Sequence, residues 1–454
     1  MGNRIVLIGA GSAQFGYGTI GEILQSSPLA GSTIMLHDIN AEALAKVADT
    51  ARAFVKERKL PFEILSSVDR KEALRGAGFV VISIEVGDRF ALWDQDRTVP
   101  QQYGITQVYG ENGGPGGVFH SLRIIPPILA ICADVVELCP QAHVFCYSNP
   151  MTAICTTVVR AYPKLSFVGL CHEIASLRRY LPTMLDTPYD NLDLVAGGLN
   201  HFSVLLKAAY RDSGTDAYPD ILKKAPAFFE KEPGYGDLWA WMKKTGEKRR
   251  TEGTLERFAA DVPKSAKPWA DRGLFRVILD RFHLMPVTVD SHFGEYIGWA
   301  HEVADHAGIM DFLELYRHML ATVEPKIELK VKERIVPMME GIVTNSAQRE
   351  EAVNVRNGGL VAELPDFVAV EVPALIDSAG VHGQALPPLP PGFAALLRNY
   401  AGVYDLTAEA VMRKSRDLAV QALLVNPVTN RARDVVDLVD HMIRLQPRWL
   451  GYLS

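Results

Sequence analysis

Surplus positive charge, long apolar runs and paired cysteines are all missing from this chain of 454 residues. Lys and Arg number 47 against 53 Asp and Glu, and the net charge of −6 leaves no cationic stripe for a nucleic-acid backbone. No apolar run approaches the roughly 20 residues of a membrane-spanning helix, so neither a nucleic acid nor a membrane is an expected partner. Cysteine is scarce. Cys132, Cys139, Cys146, Cys155 and Cys171 are odd in number and fall in one stretch, which argues against a disulfide framework. Four of them sit among apolar residues as core cysteines do, and only Cys171 has a polar motif beside it. The first apolar strand begins within a few residues of Met1 and leaves no room for a signal peptide, so a cytoplasmic location is expected.

What is present begins at once. Ile5-Val6-Leu7-Ile8 reads as a buried strand, Gly9-Ala10-Gly11-Ser12 as a turn, and Phe15 to Leu24 as a helix whose free N–H groups face a pyrophosphate. Gly9 permits the tight turn and Gly11 lets the backbone approach the phosphates. Thr33 to His37 makes a second strand, and Asp38 at its end is placed to accept hydrogen bonds from an adenosine ribose. A carboxylate there favours NAD over NADP, whose extra phosphate it repels. Strand, glycines, helix and terminal acid in this order predict a dinucleotide site in a doubly wound sheet.

Strands and helices keep alternating through the first 200 residues, with further strands predicted over Gly78 to Ile84, His143 to Tyr147 and Leu165 to Leu170. Ligands bind at the carboxyl ends of such strands. Glu85, Asn149 and the Cys171-His172 pair fall at those ends, so three segments should converge on one crevice. From about Gly197 the pattern changes, and residues 210–273 read as a helical insertion or lid rich in charge, Pro and Gly. Leu313 to Asn345 reads as a long helical tract broken or kinked near Pro325 and Pro337. Val368 to Pro373 looks like a strand, and two or three helices follow Gly392. Domains are expected at 1–196, binding NAD, and 197–454, carrying substrate, metal and subunit contacts.

Cys171-His172 and, some thirty residues on, Gly198-Leu199-Asn200-His201 offer a thiolate and two imidazoles to one divalent metal. Together with Tyr147-Ser148-Asn149-Pro150, Asp290-Ser291-His292-Phe293-Gly294-Glu295-Tyr296, Asn354-Val355-Arg356-Asn357 and Val370-Glu371-Val372-Pro373, the ordered series resembles glycoside hydrolase family 4 along nearly the whole chain. The resemblance implies a Rossmann-type parallel sheet plus a mixed α+β C-terminal domain, lactate/malate dehydrogenase-like, assembled as a homodimer or homotetramer. It also implies a glycosidase that uses NAD and a divalent metal, usually manganese, without net redox, an exception to the two-carboxylate mechanism. The sugar is oxidised at C3, deprotonated at C2, loses its aglycone from C1, adds water and is reduced again.

Under that resemblance Cys171 and His201 match the metal ligands, and His172 matches a general-acid position. Asn149 binds hydroxyls near C2 and C3, and Glu111 supports the base. Asp290 is the candidate C2 base or its water-mediated partner, and His292 contacts substrate or lies behind the metal. Gly9, Gly11, Ser12, Asp38 and Glu85 hold the cofactor. The Cys-His dipeptide resembles members acting on unphosphorylated glycosides. Glu173 departs from the Gly or Ser usual there, and its charge leans the reading toward a neutral hexoside, best an α-glucoside. An α-galactosidase, an α-glucuronidase or α-galacturonidase, and a plain NAD-dependent dehydrogenase of a sugar or hydroxy acid are the alternatives.

Overall fold

The computed structural model describes every residue except 1, 13, 14, 172, 250, 252, 332 and 454. One sheet organises the molecule. Its first half is parallel, in the order β3 (Glu63–Ser67), β2 (Thr33–His37), β1 (Arg4–Ile8), β4 (Phe79–Ile82), β5 (His143–Cys146) and β6 (Phe167–Gly169). This is the strand order of a dinucleotide-binding fold. The sequence dictates it simply: Ile5 to Ile8 and Phe79 to Ile82 are all buried, as strands covered by helices on both faces must be. Between β2 and β3, Asn40 caps helix Ala41–Arg58 by accepting from the Ala43 N–H, and Lys59 in the left-handed region ends it.

The second half is antiparallel. Next to β6 come β10 (Gln348–Arg356), β11 (Ala369–Asp377), β7 (Leu192–Leu199), β8 (Phe202–Tyr210) and β9 (Met285–Pro286), with β12 (Gly380–Gly383) on β11. The joins are narrow: β6 meets β10 only through Gly169 and Asn354, and β11 meets β7 only through Glu371 and Gly198. Under this half Phe202 stacks on Tyr296 (4.9 Å, 10°) and meets Phe293 and Phe393 edge-on. Their cluster is continuous with the core of the parallel half.

Several expectations shift. The boundary at 196/197 falls inside β7, because Gly197 and Gly198 lie in a strand that the glycines disguise. Residues 210–273 do hold helices, Tyr218–Phe229, Tyr235–Thr245 and Thr254–Asp261. The tract from 313 is two helices, His306–Ala321 and Ile335–Thr344, and Pro337 lies in the first turn of the second, where its missing N–H is not needed. Among the described residues four helices, not two or three, follow the Pro-rich turn: Pro391–Arg413, Arg416–Leu424, Val435–Leu445 and Pro447–Leu450. No described helix is long and apolar enough to cross a membrane.

Candidate active site and metal centre

A cavity of about 1100 Å³ runs along the carboxyl ends of the parallel strands. At one end the main chain builds it. Gly9 sits at φ 89°, and a Cβ there would lie 2.0 Å from the Ser83 carbonyl oxygen; only glycine serves. Gly11 donates its N–H to Asp38 Oδ2 at 2.8 Å, and Asn40 N–H donates to Oδ1 at 2.8 Å. Ser12 Oγ accepts from the Phe15 N–H at 3.2 Å and so caps the helix that opens on the cavity. Gly9, Ser12, Asp38 and Glu85 line this end, while Gly11 backs onto Asp38. Burial opposes ionisation of Glu85, but His120 (3.4 Å), Arg89 (3.7 Å) and the Val86 N–H outweigh it and hold its carboxyl at about 2.

The middle of the cavity carries Glu111. Arg89, first residue of helix Arg89–Gln102, donates to Glu111 Oε1 at 2.6 Å and to the Tyr316 hydroxyl at 2.8 Å. The glycine-rich segment around Glu111 is not slack: Glu295 Oε1 accepts the N–H groups of Glu111 and Asn112 at 2.5 and 2.9 Å, and His120 Nδ1 lies 2.8 Å from the Glu111 carbonyl. Tyr109, immediately before it, also faces the cavity; burial first, then Glu111 and Glu295, pushes its phenol well above the ordinary range.

At the far end side chains take over. Cys171 Sγ lies 3.2 Å from His201 Nε2, the His201 and His292 rings stack at 4.4 Å, and His292 Nε2 lies 4.0 Å from Glu173 Oε1. Ligand atoms of Glu173, His201 and His292 lie within 4.8 Å of one another. His201 reaches this point from the turn between β7 and β8, with φ 61°, a conformation that costs a non-glycine residue about 1 kcal/mol or more. The turn is held from below. Glu371 accepts from Asn200 Nδ2 and Ser203 Oγ, both at 2.8 Å, and from Asn354 Nδ2 at 3.4 Å, while the Thr288 hydroxyl donates to the His201 carbonyl at 3.2 Å. Burial, then the charges of Glu173 and Glu371, pushes the Cys171 thiol well above its ordinary range. A proton held by so much negative charge is what a cation displaces, and the buried Nδ1 of His292 has no hydrogen-bond partner among the described residues. The donor set of one thiol, two imidazoles and one carboxylate fits a divalent transition ion.

Of the expected residues, Glu111, Asn149, Cys171, His201 and His292 therefore line the same cavity as the dinucleotide end. His172 lies outside the described residues. Asp290 requires a correction. It is fully buried and away from the cavity, and its oxygens accept N–H groups of Leu274 (3.0 Å), Phe275 (2.9 Å) and Asp305 (2.9 Å). It caps helix Gly273–Phe282 from a distance, and burial lifts its carboxyl to about 6 against those three donors. The expected base is thus a structural anchor. Arg89, Tyr109 and Tyr316 were not foreseen. Arg89 alone left a trace, as the residue after Asp88, which caps helix Arg89–Gln102.

A Rossmann-type sheet whose strand-end crevice opens directly onto a cluster of side chains able to ligate a metal sets this α/β chain apart from the plain dehydrogenases. The chain matches the Family 4 glycosyl hydrolase over residues 4–187 and the Family 4 glycosyl hydrolase C-terminal domain over 196–429, and it belongs to glycoside hydrolase family 4. It is 61% identical over 454 residues to an alpha-glucosidase of Erwinia rhapontici, covering 100% of both chains. Its fold is similar to a crystal structure of a 6-phospho-alpha-glucosidase from gut microorganisms in complex with NAD and Mn2+, with TM-score 0.76 and 18% identity over 98% of both chains. A malate dehydrogenase of Cryptosporidium parvum shares the fold at TM-score 0.51 and 14% identity, over 91% of this chain and 100% of that one.

Proposed function

We propose that the protein hydrolyses unphosphorylated α-glucosides without net redox, using NAD and a divalent metal ion, manganese by preference, and acts in the cytoplasm as a homodimer or homotetramer. The observation that carries this is one cavity holding both the Gly9 to Asp38 crevice and the Cys171, Glu173, His201 and His292 group. The alpha-glucosidase at 61% identity supports the choice of sugar and anomer. Glu173 supports a neutral hexoside, since a carboxylate on the cavity wall repels a phosphate or a uronate.

When bound, the two groups supply reversible hydride acceptance at C3 and Lewis acidity beside C2. This chain's residues do the rest. The turn at Gly9, Gly11 and Ser12 admits the pyrophosphate, Asp38 receives the ribose hydroxyls, and Glu85 faces the cofactor from the end of β4. Asn149, whose buried Oδ1 has no partner among the described residues, orients hydroxyls near C2 and C3. Cys171 and His201 hold the ion, with His292 and Glu173 beside them. Glu111, held by Arg89 on the cavity wall, receives the C2 proton directly or through a water, and His172 protonates the departing oxygen. In this division of labour the parallel half binds NAD and also supplies Glu111, Asn149, Cys171 and Glu173, while the chain from β7 onward adds His201, His292 and the subunit contacts.

The test uses metal-stripped protein with NAD, Mn and a thiol reductant on paired α- and β-nitrophenyl glucosides, galactosides and glucuronides. The expected result is nitrophenol from the α-glucoside over many turnovers, only with both NAD and metal, and without stoichiometric NADH. NADH rising in step with substrate loss would make the protein a dehydrogenase and overturn the reading.

A further inference from the structure

Asn149 and His292 account for part of the sugar's surroundings and leave the Tyr109 hydroxyl, a buried polar group beside them, without a task. Tyr109 is 1% exposed and yet lines the cavity. Trp93 locks it twice: the indole N–H donates to the Tyr109 carbonyl at 3.1 Å, and the two rings meet edge to face at 4.6 Å. The tyrosine ring then lies against His292 at 5.3 Å and Phe312 at 5.9 Å. Among the described residues its hydroxyl has no hydrogen-bond partner. Burying a hydroxyl without a partner is costly, and a phenylalanine would fill the same space without that cost. Packing therefore accounts for the ring and not for the oxygen. A phenol is neutral through the working pH range and offers an O–H. Its position beside His292 puts that donor where the hexose must lie if its hydroxyls are to reach the metal group.

We infer that Tyr109 is a substrate-binding residue whose O–H donates a hydrogen bond to one ring hydroxyl of the hexose and so fixes the sugar against the metal group. The inference rests on the cavity being the glycoside site proposed above. It assigns to a rigid, pre-placed donor part of the selection among hexoses, because a site built around a hydroxyl is left with an unpaired polar group when that hydroxyl is absent or turned the other way.

The test measures binding of methyl α-glucoside and its 2-, 3-, 4- and 6-deoxy analogues, as inhibition constants, to wild-type enzyme and Tyr109→Phe, both loaded with NAD and Mn. The variant is expected to bind the parent glucoside about tenfold to hundredfold more weakly. One deoxy analogue, the one lacking the partner hydroxyl, is expected to bind equally to both proteins, with NAD affinity and Tm unchanged. Equal binding of the parent by both proteins, or a loss of the same size across all analogues, overturns the inference. So does a fall in Tm of more than about 2 °C, which would show that the hydroxyl has a partner within the protein. Wild-type enzyme that binds no glucoside would instead sink the reading of the cavity, and the tyrosine's role with it.

Discussion

The two ends of the cavity are built by different means. At the dinucleotide end the main chain does the work: Gly9 packs against the Ser83 carbonyl, and Asp38 is pinned by two backbone N–H groups. Nearly all of it comes from the first forty residues, which fold on one another through β1 and β2. At the metal end side chains do the work, and they come from positions 171, 173, 201 and 292. Their turn is braced by Glu371 and Asn354 from strands that arrive later still. A site made of local backbone depends on its own loop. A site made of converging side chains depends on the whole antiparallel half being in place, so the two ends should fail separately.

The largest effect sharpens that separation. Cys171→Ser or His201→Ala should lower metal affinity by more than about 100-fold, and, like removal of the metal by a chelator, abolish hydrolysis, while NAD binding followed by tryptophan fluorescence moves less than about twofold. Parallel loss of both would break the comparison. Gly9→Ala should do the converse. The added Cβ meets the Ser83 carbonyl at 2.0 Å in a left-handed conformation, so denaturant melts should show a loss of about 3 kcal/mol and calorimetry a loss of NAD binding.

Glu371→Gln turns one acceptor of the Asn200, Ser203 and Asn354 network into a donor facing donors. It should weaken the metal by about 10- to 100-fold with NAD binding intact; unchanged metal affinity would show that the His201 turn needs no brace. Asp290→Asn removes part of a buried anchor and should cost about 2 kcal/mol in stability, with kcat of the folded fraction retained. A kcat lost at full stability would return Asp290 to the chemistry. The smallest effect concerns acid. Glu85 is held at about 2 against an ordinary 4.5, so its contribution is complete above pH 4.5 and is lost as the pH falls through 2. For this part-exposed group it amounts to less than about 2 kcal/mol. The Tm difference between wild type and Glu85→Gln should therefore close on acidification; a difference that widens would reverse the sign.

The same contrast explains what the sequence reveals. Helix Phe15–Leu24 and strand Thr33–His37 are legible to the residue, because glycines, caps and apolar runs act over a few positions. The hairpin of β7 and β8 is not. Its strands pair with each other from Leu192 and Tyr210 to Leu199 and Phe202, but Gly197 and Gly198 disguise the first of them, and its place in the sheet rests on Glu371 meeting Gly198, which no local pattern announces. Cys171, His201 and His292 are visible as residue types, and the structure brings them together. Asp290 shows the limit: its motif is plain, but whether its carboxylate faces substrate or a helix end is settled by Leu274, Phe275 and Asp305. Arg89 and Tyr316 meet across 227 positions, and spacing carries no trace of that contact.

The narrow joins of the sheet carry a consequence for how the enzyme comes into being. Gly169 pairs with Asn354, and Gly198 with Glu371, so the ribosome must reach residue 371 before the His201 turn acquires its brace. The cofactor crevice, by contrast, has all its strands once residue 170 has emerged. During synthesis the nascent protein passes through a long interval in which the strands of the nucleotide crevice exist beside metal-seeking side chains that are still arriving and unbraced, and premature termination products should inherit that imbalance.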